Sequence, residues 1–458
     1  MLAFARRLAF EAKSRVALGA DRVAAVKHAA NDVLEPNALA RLQRARGMSL
    51  ARYAWDSTEF YRAHYAAAGF SRSDLEEDDV FTSLPLVSKA HLREQRSGFI
   101  ATGIDDTRRL PSSTGGSTGQ PLSLFHDAKA PTASLWWRVF GWWGVEPFDN
   151  RAGIQRERRT RSTILREWAE WWPTKIMSLD ARSMTDESMG EFAAQWNGVG
   201  PALLNGYVGG IHEFATYVRR HSLALTPPRA IGVTAAPITP STRRFIEEVL
   251  GAPVFDSYRS AEVPWIAAEC SAHDGLHILA DDRIVEIVDS GGSLLDNGSE
   301  GDVVVTDLNN RVFPLVRYEL GDRSALLDGA CSCGRTLPRM APIRGRVTDV
   351  IRLPTGQRVT GGLTGIFNDR PDAVAQFQVH QHADLSITLR CVPGSAADAL
   401  AVIEAAGRAL GALVATSVPV TVEIVETIAH DRGKMRVVRS DVPADHDVTN
   451  DEGAGDKT

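Results

Sequence analysis

One run of ten residues, 112–121, could bind an anion: it reads Ser-Ser-Thr-Gly-Gly-Ser-Thr-Gly-Gln-Pro. Its three glycines expose backbone N–H groups, and its five hydroxyl side chains can add further donors. The run lacks the Gly-Lys-Ser/Thr ending of a P-loop and the G-x-G-x-x-G spacing of a dinucleotide fold. A flexible surface linker is the alternative. If the run is a ligand site, the anion is expected to be a nucleotide phosphate. The residues predicted to contact it are Ser113, Thr114, Gly116, Ser117, Thr118 and Gly119.

Two further groups of polar residues follow expected strands, where open α/β sheets place their ligands. One group is Thr234-Ala235-Ala236-Pro237, and the other is Tyr258-Arg259-Ser260-Ala261-Glu262. The Glu262 carboxylate could hold Mg²⁺ beside a triphosphate. A solvated surface glutamate is the alternative, because glutamate is rarely buried.

An aspartate and a lysine later in the chain could complete a nucleotide site. Asp322 follows an apolar, extended segment that turns at Gly321, and its carboxylate could accept both hydroxyls of a ribose. Lys434 lies on a glycine turn near the end of the chain, where it could stabilise charge passing between a carboxylate and an α-phosphate. Taken alone, a Gly-Asp pair is a common turn and a terminal lysine is a common solvated charge.

Three of the four cysteines, with one histidine, could form a metal site. Cys270 and His277 come from one segment, and Cys331 and Cys333 from a Cys-x-Cys turn. Four nitrogen and sulfur ligands suit a tetrahedral structural zinc ion. His273 competes with His277 for the fourth position, and unlinked buried thiols are the alternative to a metal. The remaining cysteine lies in an alternating apolar segment, which predicts a buried side chain.

Length and charge limit the class of protein. The 458 residues are too many for one compact core, which predicts two or more domains. The net charge of −6 disfavours a nucleic-acid binder, which usually has a basic face. No apolar run is long enough for a membrane span, and residues 1–34 lack a secretory h-region. We therefore expect a cytoplasmic protein without nucleic-acid or membrane partners.

The pattern of apolar residues predicts helices over residues 1–80 and an α/β body over about 200–330. The tryptophan-rich segment around residues 135–144 predicts a core helix. Residues 151–175 are typical of a surface insertion or lid. The last hundred residues predict a small α+β domain in the order strand, strand, helix, strand, and the acidic tail, 443–458, should be disordered.

These motifs, taken in order, resemble the adenylate-forming superfamily, and within it the phenylacetate-CoA ligase-like branch. The resemblance covers residues 61–438, most of the chain. It rests on Leu84-Pro85-Leu86-Val87-Ser88-Lys89 with Leu92-Arg93, Gly116-Ser117-Thr118-Gly119-Gln120-Pro121, Ala235-Ala236-Pro237, Tyr258 with Glu262, Arg317-Tyr318-x-x-Gly321-Asp322, Cys331-x-Cys333-Gly334-Arg335-Thr336-Leu337-Pro338, and Arg346, Asp349 and Lys434.

The resemblance implies an α/β fold in which a large adenylation domain of layered sheets and helices (1–345) precedes a small mobile α+β lid domain (346–442). Asp349 would lie at the hinge, and Lys434 and Glu262 would be catalytic. Tyr258 would stack on adenine, and zinc is favoured over free thiols. The other implied ATP contacts are Ala235, Ala236, Pro237, Ser257, Arg259, Ser260, Asp322 and Arg346. The sequence departs from the family pattern where Arg259 replaces a usual glycine, at Ala235-Ala236, and where Thr348 precedes Asp349.

The implied activity is ATP- and Mg²⁺-dependent activation of a carboxylic acid as an acyl-AMP, with CoA as the acceptor. The apolar residues near Tyr207 and in the tryptophan-rich helix favour an aromatic or otherwise apolar acid. Two alternatives remain open: an amide ligase that uses an amine acceptor without CoA, and a homologue that binds nucleotide without turnover. A homodimer is a further expectation.

Overall fold

The computed structural model describes residues 2–77, 79–113, 122–155, 172–181, 183–343, 351–354, 358–359, 366–367, 370, 373–414, 418–428 and 437–442. The chain divides into two compact units. The larger unit comprises Met1–Ile238 and Phe245–Ile343, and the smaller comprises Thr239–Arg244 and Arg344–Thr458. Among the helices of the described ranges, none has the length and apolar character needed to cross a bilayer.

The described helices, numbered along the chain, are α1 (Leu2–Ala17), α2 (Gly19–Asn31), α3 (Pro36–Ser57), α4 (Glu59–Ala67), α5 (Lys89–Glu94), α6 (Thr132–Trp142), α7 (Asp186–Val199), α8 (Val208–Arg220), α9 (Pro240–Leu250) and α10 (Ala399–Leu413). Helix starts follow capping chemistry. Thr58 accepts a hydrogen bond at the start of α4, and Ser88 and His91 form a capping box at the start of α5.

The described strands are β1 (Arg109–Ser113), β2 (Ser123–Asp127), β3 (Arg151–Gln155), β4 (Ile176–Asp180), β5 (Leu203–Tyr207), β6 (Ala230–Thr234), β7 (Val254–Tyr258), β8 (Ala267–Glu269), β9 (Leu276–Ile278), β10 (Arg283–Val288), β11 (Gly301–Asp307), β12 (Tyr318–Ser324), β13 (Leu326–Leu327), β14 (Arg339–Met340), β15 (Ile351–Arg352), β16 (Arg358–Val359), β17 (Val374–Gln381), β18 (Ile387–Pro393), β19 (Val420–Ile424) and β20 (Val438–Ser440).

A nine-stranded sheet forms the centre of the larger unit, in the order β13-β14-β9-β8-β7-β6-β5-β3-β4. Strands β7, β6, β5, β3 and β4 pair in parallel, and the others pair antiparallel. Every residue of β6 and β7 is buried, as expected for parallel strands covered on both faces. The α/β prediction for this region is confirmed.

The tryptophan-rich segment is the core helix that its spacing predicts. Trp137 and Trp142 on α6 are buried, and so is Trp143 just after it. The Trp143 ring stacks on Phe255 of β7, with 5.2 Å between the ring centroids. Gly232 makes room for this contact, because a Cβ there would lie 2.6 Å from the Trp143 ring.

The prediction of a surface insertion over residues 151–175 is wrong for its first five residues. They form β3, which lies inside the nine-stranded sheet between β5 and β4. The strand was missed because Ala152 and Ile154, its buried residues, are its only apolar ones. Residues 156–171 lie outside the described residues.

Two antiparallel elements complete the larger unit. One is a three-stranded sheet in the order β10-β11-β12. The other is the β1–β2 pair, in which Ser113 is opposite Ser123. The glycine-rich run therefore connects two paired strands.

A buried group of charges joins α2 and α6 to the loop before β10. Arg138 on α6 contacts Asp281 at 2.6 Å and Asp32, just after α2, at 2.7 Å. His28 on α2 contacts Asp282 at 2.7 Å. Because these groups are almost fully buried, each charge depends on its partner.

The smaller unit is α+β, as predicted, with β17, β18, α10 and β19 in the expected order. Its sheet has the order β19-β18-β17-β20. The edge strand β20, which pairs in parallel with β17, has only three residues and was not predicted. Cys391 on β18 is buried, as its apolar surroundings predict.

Candidate active site

Five parallel strands end at the edge where the sequence places the nucleotide motifs. The chain visits them in the order β3, β4, β5, β6, β7, so the direction along the sheet reverses between β3 and β5. Open α/β sheets bind ligands outside the carboxyl ends of the strands at such a reversal. Thr234 donates from Oγ1 to the backbone oxygen of Ser257 at 2.8 Å, and Ser257 donates from Oγ to Val233 O at 2.9 Å. The ends of β6 and β7 are thereby held together.

Tyr258 and Asp322 meet between two sheets. Tyr258 is the last residue of β7, and Asp322 lies in β12. The Tyr258 hydroxyl donates to Asp322 Oδ2 at 2.8 Å, and both side chains are buried. This hydrogen bond orients the Asp322 carboxylate. It also places Tyr258 and Asp322 in the same candidate site.

Glu262 lies beside the same strand β12. Its side chain is buried, and its Oε1 lies 4.0 Å from Lys89 Nζ. Burial and the nearby Glu262 carboxylate raise the pKa of Tyr318, the first residue of β12. The buried Glu262 carboxylate therefore lies near the Lys89 ammonium group and the neutral Tyr318 phenol.

Lys89 is a member of this site that the sequence analysis did not assign. The segment before α5 lies along β12, because Val87 N–H donates to Arg317 O and Glu319 N–H donates to Val87 O, each at 2.9 Å. This pairing brings the Lys89 ammonium to Glu262 and within 3.5 Å of where a Cβ on Gly321 would lie. The capping residue Ser88 was a local signal for the helix start, but not for this long-range contact.

The flanks of the glycine-rich run are attached next to Glu262. The Ser112 hydroxyl donates to Ala261 O at 3.3 Å, and His126 Nε2 lies 2.9 Å from the same oxygen. Ser113 is exposed at the end of β1. The other predicted phosphate contacts, Thr114, Gly116, Ser117, Thr118 and Gly119, lie outside the described residues.

The residues after β6 and β7 line the same edge. Ala235 has a φ of +74°, in the left-handed region that favours glycine, and it is followed by the half-buried Ala236 and Pro237. The Ser260 hydroxyl accepts a hydrogen bond from Val263 N–H at 2.9 Å, so it closes a local turn. Arg259 stacks on Trp265. The predicted residues Arg346, Asp349 and Lys434 lie outside the described residues.

A second cluster, in the same unit, brings together the four predicted metal ligands. His277 lies on β9, Cys270 directly follows β8, and Cys331 and Cys333 lie between β13 and β14. One ligand atom from each residue lies within 4.8 Å of all the others. The Sγ atoms of Cys270 and Cys331 are 3.7 Å apart, and Cys333 Sγ is 3.3 Å from His277 Nε2.

The protonation states in this cluster follow from burial. Burial raises the pKa of Cys270 to about 12 and lowers that of His277. His277 Nδ1 lies 3.3 Å from Leu337 O, which leaves Nε2 directed at the thiols. His273, the competing histidine, instead contacts Glu269 at 3.2 Å and stacks on Phe255. The described geometry therefore groups His277 with the cysteines.

Comparison of the sequence with curated proteins finds phenylacetate-CoA ligases. The Thermus thermophilus enzyme is 33% identical over 149 residues, which are 32% of this chain and 34% of the relative. The Pseudomonas putida enzyme is 36% identical over 121 residues, which are 26% of this chain and 27% of the relative. The segments of this chain that match therefore cover only about a third or less of the length of these two relatives. No family model matches the sequence.

Comparison with solved structures finds the fold of adenylate-forming ligases. A 2-hydroxyisobutyryl-CoA ligase, solved in the postadenylation state with R3-HIB-AMP, has a TM-score of 0.71 at 21% identity over 87% of this chain and 89% of that chain. An anthranilate CoA ligase in complex with anthranoyl-AMP has a TM-score of 0.51 at 13% identity, over 72% and 66% of the two chains. The sequence matches and the shared fold confirm the resemblance inferred from the motifs, to the phenylacetate-CoA ligase-like branch of the adenylate-forming superfamily.

Proposed function

We propose that the chain is an ATP-dependent ligase that activates a carboxylic acid and transfers the acyl group to CoA. The carboxylate would attack the α-phosphorus of ATP, giving acyl-AMP and pyrophosphate. The CoA thiol would then attack the acyl carbon, releasing AMP and a proton. The observation that carries the proposal is the meeting of Tyr258, Asp322, Glu262 and Lys89 at the carboxyl edge of a parallel sheet.

Each of these groups suits one part of ATP. The oriented Asp322 carboxylate would accept hydrogen bonds from the ribose hydroxyls. Residues of the glycine-rich run would bind the β- and γ-phosphates. Mg²⁺, when bound, would neutralise phosphate charge, and Glu262 is the buried carboxylate that would hold it. Lys89, whose flexible ammonium group lies next to Glu262, would contribute a second positive charge.

Lys434 is proposed as the catalytic lysine of the first step. Its ammonium group would stabilise the negative charge shared by the attacking carboxylate and the α-phosphate. Arg346 is proposed as an ATP contact and Asp349 as the hinge that moves the smaller unit between the two steps. These roles rest on the motif resemblance.

A structural zinc ion is proposed for Cys270, His277, Cys331 and Cys333. Three thiols and one imidazole match the donor number and type of structural zinc, and the four ligand atoms already lie together. The contact from His277 Nδ1 to a backbone oxygen is the kind that orients a metal-binding imidazole. The ion, when bound, would cross-link the segments around β8, β9 and the loop before β14.

The test is acid-dependent exchange of labelled pyrophosphate into ATP, over a panel of carboxylic acids, followed by thioester detection with CoA. We expect exchange with at least one acid and thioester only when CoA is added. Lys434→Ala should lose most exchange while ATP still binds, whereas the control Arg432→Ala should keep it. No exchange with any acid would overturn the proposal, and full exchange by Lys434→Ala would remove that residue from the mechanism.

A further inference from the structure

A partly buried cation, Arg259, lies at the carboxyl edge of the sheet, beside the proposed nucleotide site. Arg259 directly follows β7, and its guanidinium carbon lies 4.3 Å from the centre of the Trp265 ring. Its Nη2 donates to Asn205 Oδ1 at 3.2 Å. Asn205 is on β5, the strand that borders the reversal of strand order.

The hydrogen bonding of this cation is incomplete within the described part of the chain. Its Nε is shielded from solvent, yet has no hydrogen-bond acceptor there. The acceptor of its Nη2 bond is a neutral amide. Burial lowers the pKa of Arg259 to about 10, so the group still carries its charge at neutral pH. The Asp256 carboxylate attracts the guanidinium electrostatically, but the Nε–H still lacks an acceptor there, and an incoming anion would supply one.

Two neighbouring side chains position the Arg259 guanidinium so that it could bind a planar anion. Its position over the Trp265 ring and its hydrogen bond to Asn205 limit the movement of the guanidinium. A guanidinium held in this way presents paired N–H donors that match the two oxygens of a carboxylate. The Trp265 ring lies against the guanidinium, and the half-buried Tyr207, which ends β5, packs against the apolar core of the same unit.

We propose that Arg259 binds a second carboxylate on the acid substrate, so that the enzyme acts on a dicarboxylic acid with an apolar skeleton. The proposal rests on the function proposed above, because it takes the other carboxylate to be the one adenylated. It narrows the substrate class from apolar acids in general to apolar diacids. Arg259 would thus contact the acid substrate, in place of the ATP contact that the motif resemblance implies for it.

The experiment uses the full chain and pairs of acids that differ only by a terminal carboxylate, such as hexanoate with adipate and benzoate with terephthalate. Pyrophosphate exchange gives kcat/KM for each acid, and calorimetry gives the affinity for each acid without ATP. We expect the wild-type protein to prefer one diacid over its monoacid by about 10- to 100-fold, the range of a charged hydrogen-bonded contact. Arg259→Gln should lose that preference, and Arg259→Lys should keep part of it.

The matched control is Arg229→Gln, which removes another arginine of the same unit, paired at the surface with Asp149. It should leave the diacid preference unchanged. Equal use of monoacids and diacids by the wild type, or a diacid preference that survives in both Arg259 variants, would overturn the inference while the ligase function stands. Absence of exchange with every acid would overturn the ligase function instead, and calorimetry would still decide whether Arg259 binds a diacid.

Discussion

Replacing Asp322 by alanine should weaken ATP binding strongly. The carboxylate that would face the ribose is buried and already oriented by the Tyr258 hydroxyl at 2.8 Å. A hydrogen bond to a charged group contributes about 1.5–3 kcal/mol. Loss of two ribose contacts, which are not fully additive, should therefore cost about 2–4 kcal/mol, or roughly a 30- to 800-fold higher Kd. Calorimetric titration of ATP into the acid-free protein measures this directly.

Two companion variants separate the ribose contact from general damage to the fold. Tyr258→Phe keeps the aromatic ring and the carboxylate but removes the orienting hydroxyl, so the Kd should rise only about fivefold, equivalent to about 1 kcal/mol. Asp302→Ala removes a carboxylate from the neighbouring strand β11, where it pairs with Arg323, and should leave the Kd unchanged. An unaltered ATP affinity in Asp322→Ala would refute the ribose assignment.

Three other predictions concern stability and metal. Arg138→Leu should lower the free energy of unfolding by about 3–5 kcal/mol, because it leaves the Asp281 carboxylate buried without its arginine partner. Burial opposes ionisation of Asp282, but the hydrogen bond and charge of His28, together with the charge of Arg283, outweigh burial and lower the pKa of Asp282. This stabilisation should be complete above pH of about 4 and lost as the pH falls further, as an acid titration of unfolding would measure. Cys331→Ser should lose bound zinc in metal analysis and lower the unfolding temperature.

Each of these measurements has an internal control. All ten tryptophans belong to the larger unit, so their fluorescence follows its unfolding. Removing the exposed pair of Arg7 and Glu11 should cost no more than about 0.5 kcal/mol, in contrast to Arg138→Leu. Cys391→Ser, in the smaller unit, should leave the zinc content unchanged. A cost below about 1 kcal/mol for Arg138→Leu would contradict the argument from buried charge.

The sequence was most informative where a motif directly follows a strand. Tyr258 and Glu262 were predictable because β7 is a short, fully buried run with polar residues at its end. The grouping of Cys270 with the Cys-x-Cys turn was also accessible, since these donor types suit one metal. The strand-like segment around His277, which forms β9, favoured His277 over His273, and His277 Nε2 lies 3.3 Å from Cys333 Sγ.

The features of the site and fold that the sequence could not predict depend mainly on contacts between residues far apart in the chain. Lys89 reaches Glu262 only because Val87 pairs with β12, more than 200 residues later in the chain. Strand β3 contains two apolar residues, too few for a pattern of alternation. The position of the Arg259 guanidinium depends on Asn205 and Trp265, which no local motif connects to it.

The backbone oxygen of Ala261 connects the two strands beside the glycine-rich run to Glu262. This one carbonyl contacts side chains from both strands that flank the loop, and the next residue is Glu262. If the glycine-rich run binds a triphosphate as proposed, a change at Ser112 or His126 would therefore be transmitted to Glu262, the proposed Mg²⁺ ligand. Substitutions at Ser112 or His126 should alter the magnesium requirement together with nucleotide affinity, as one coupled response.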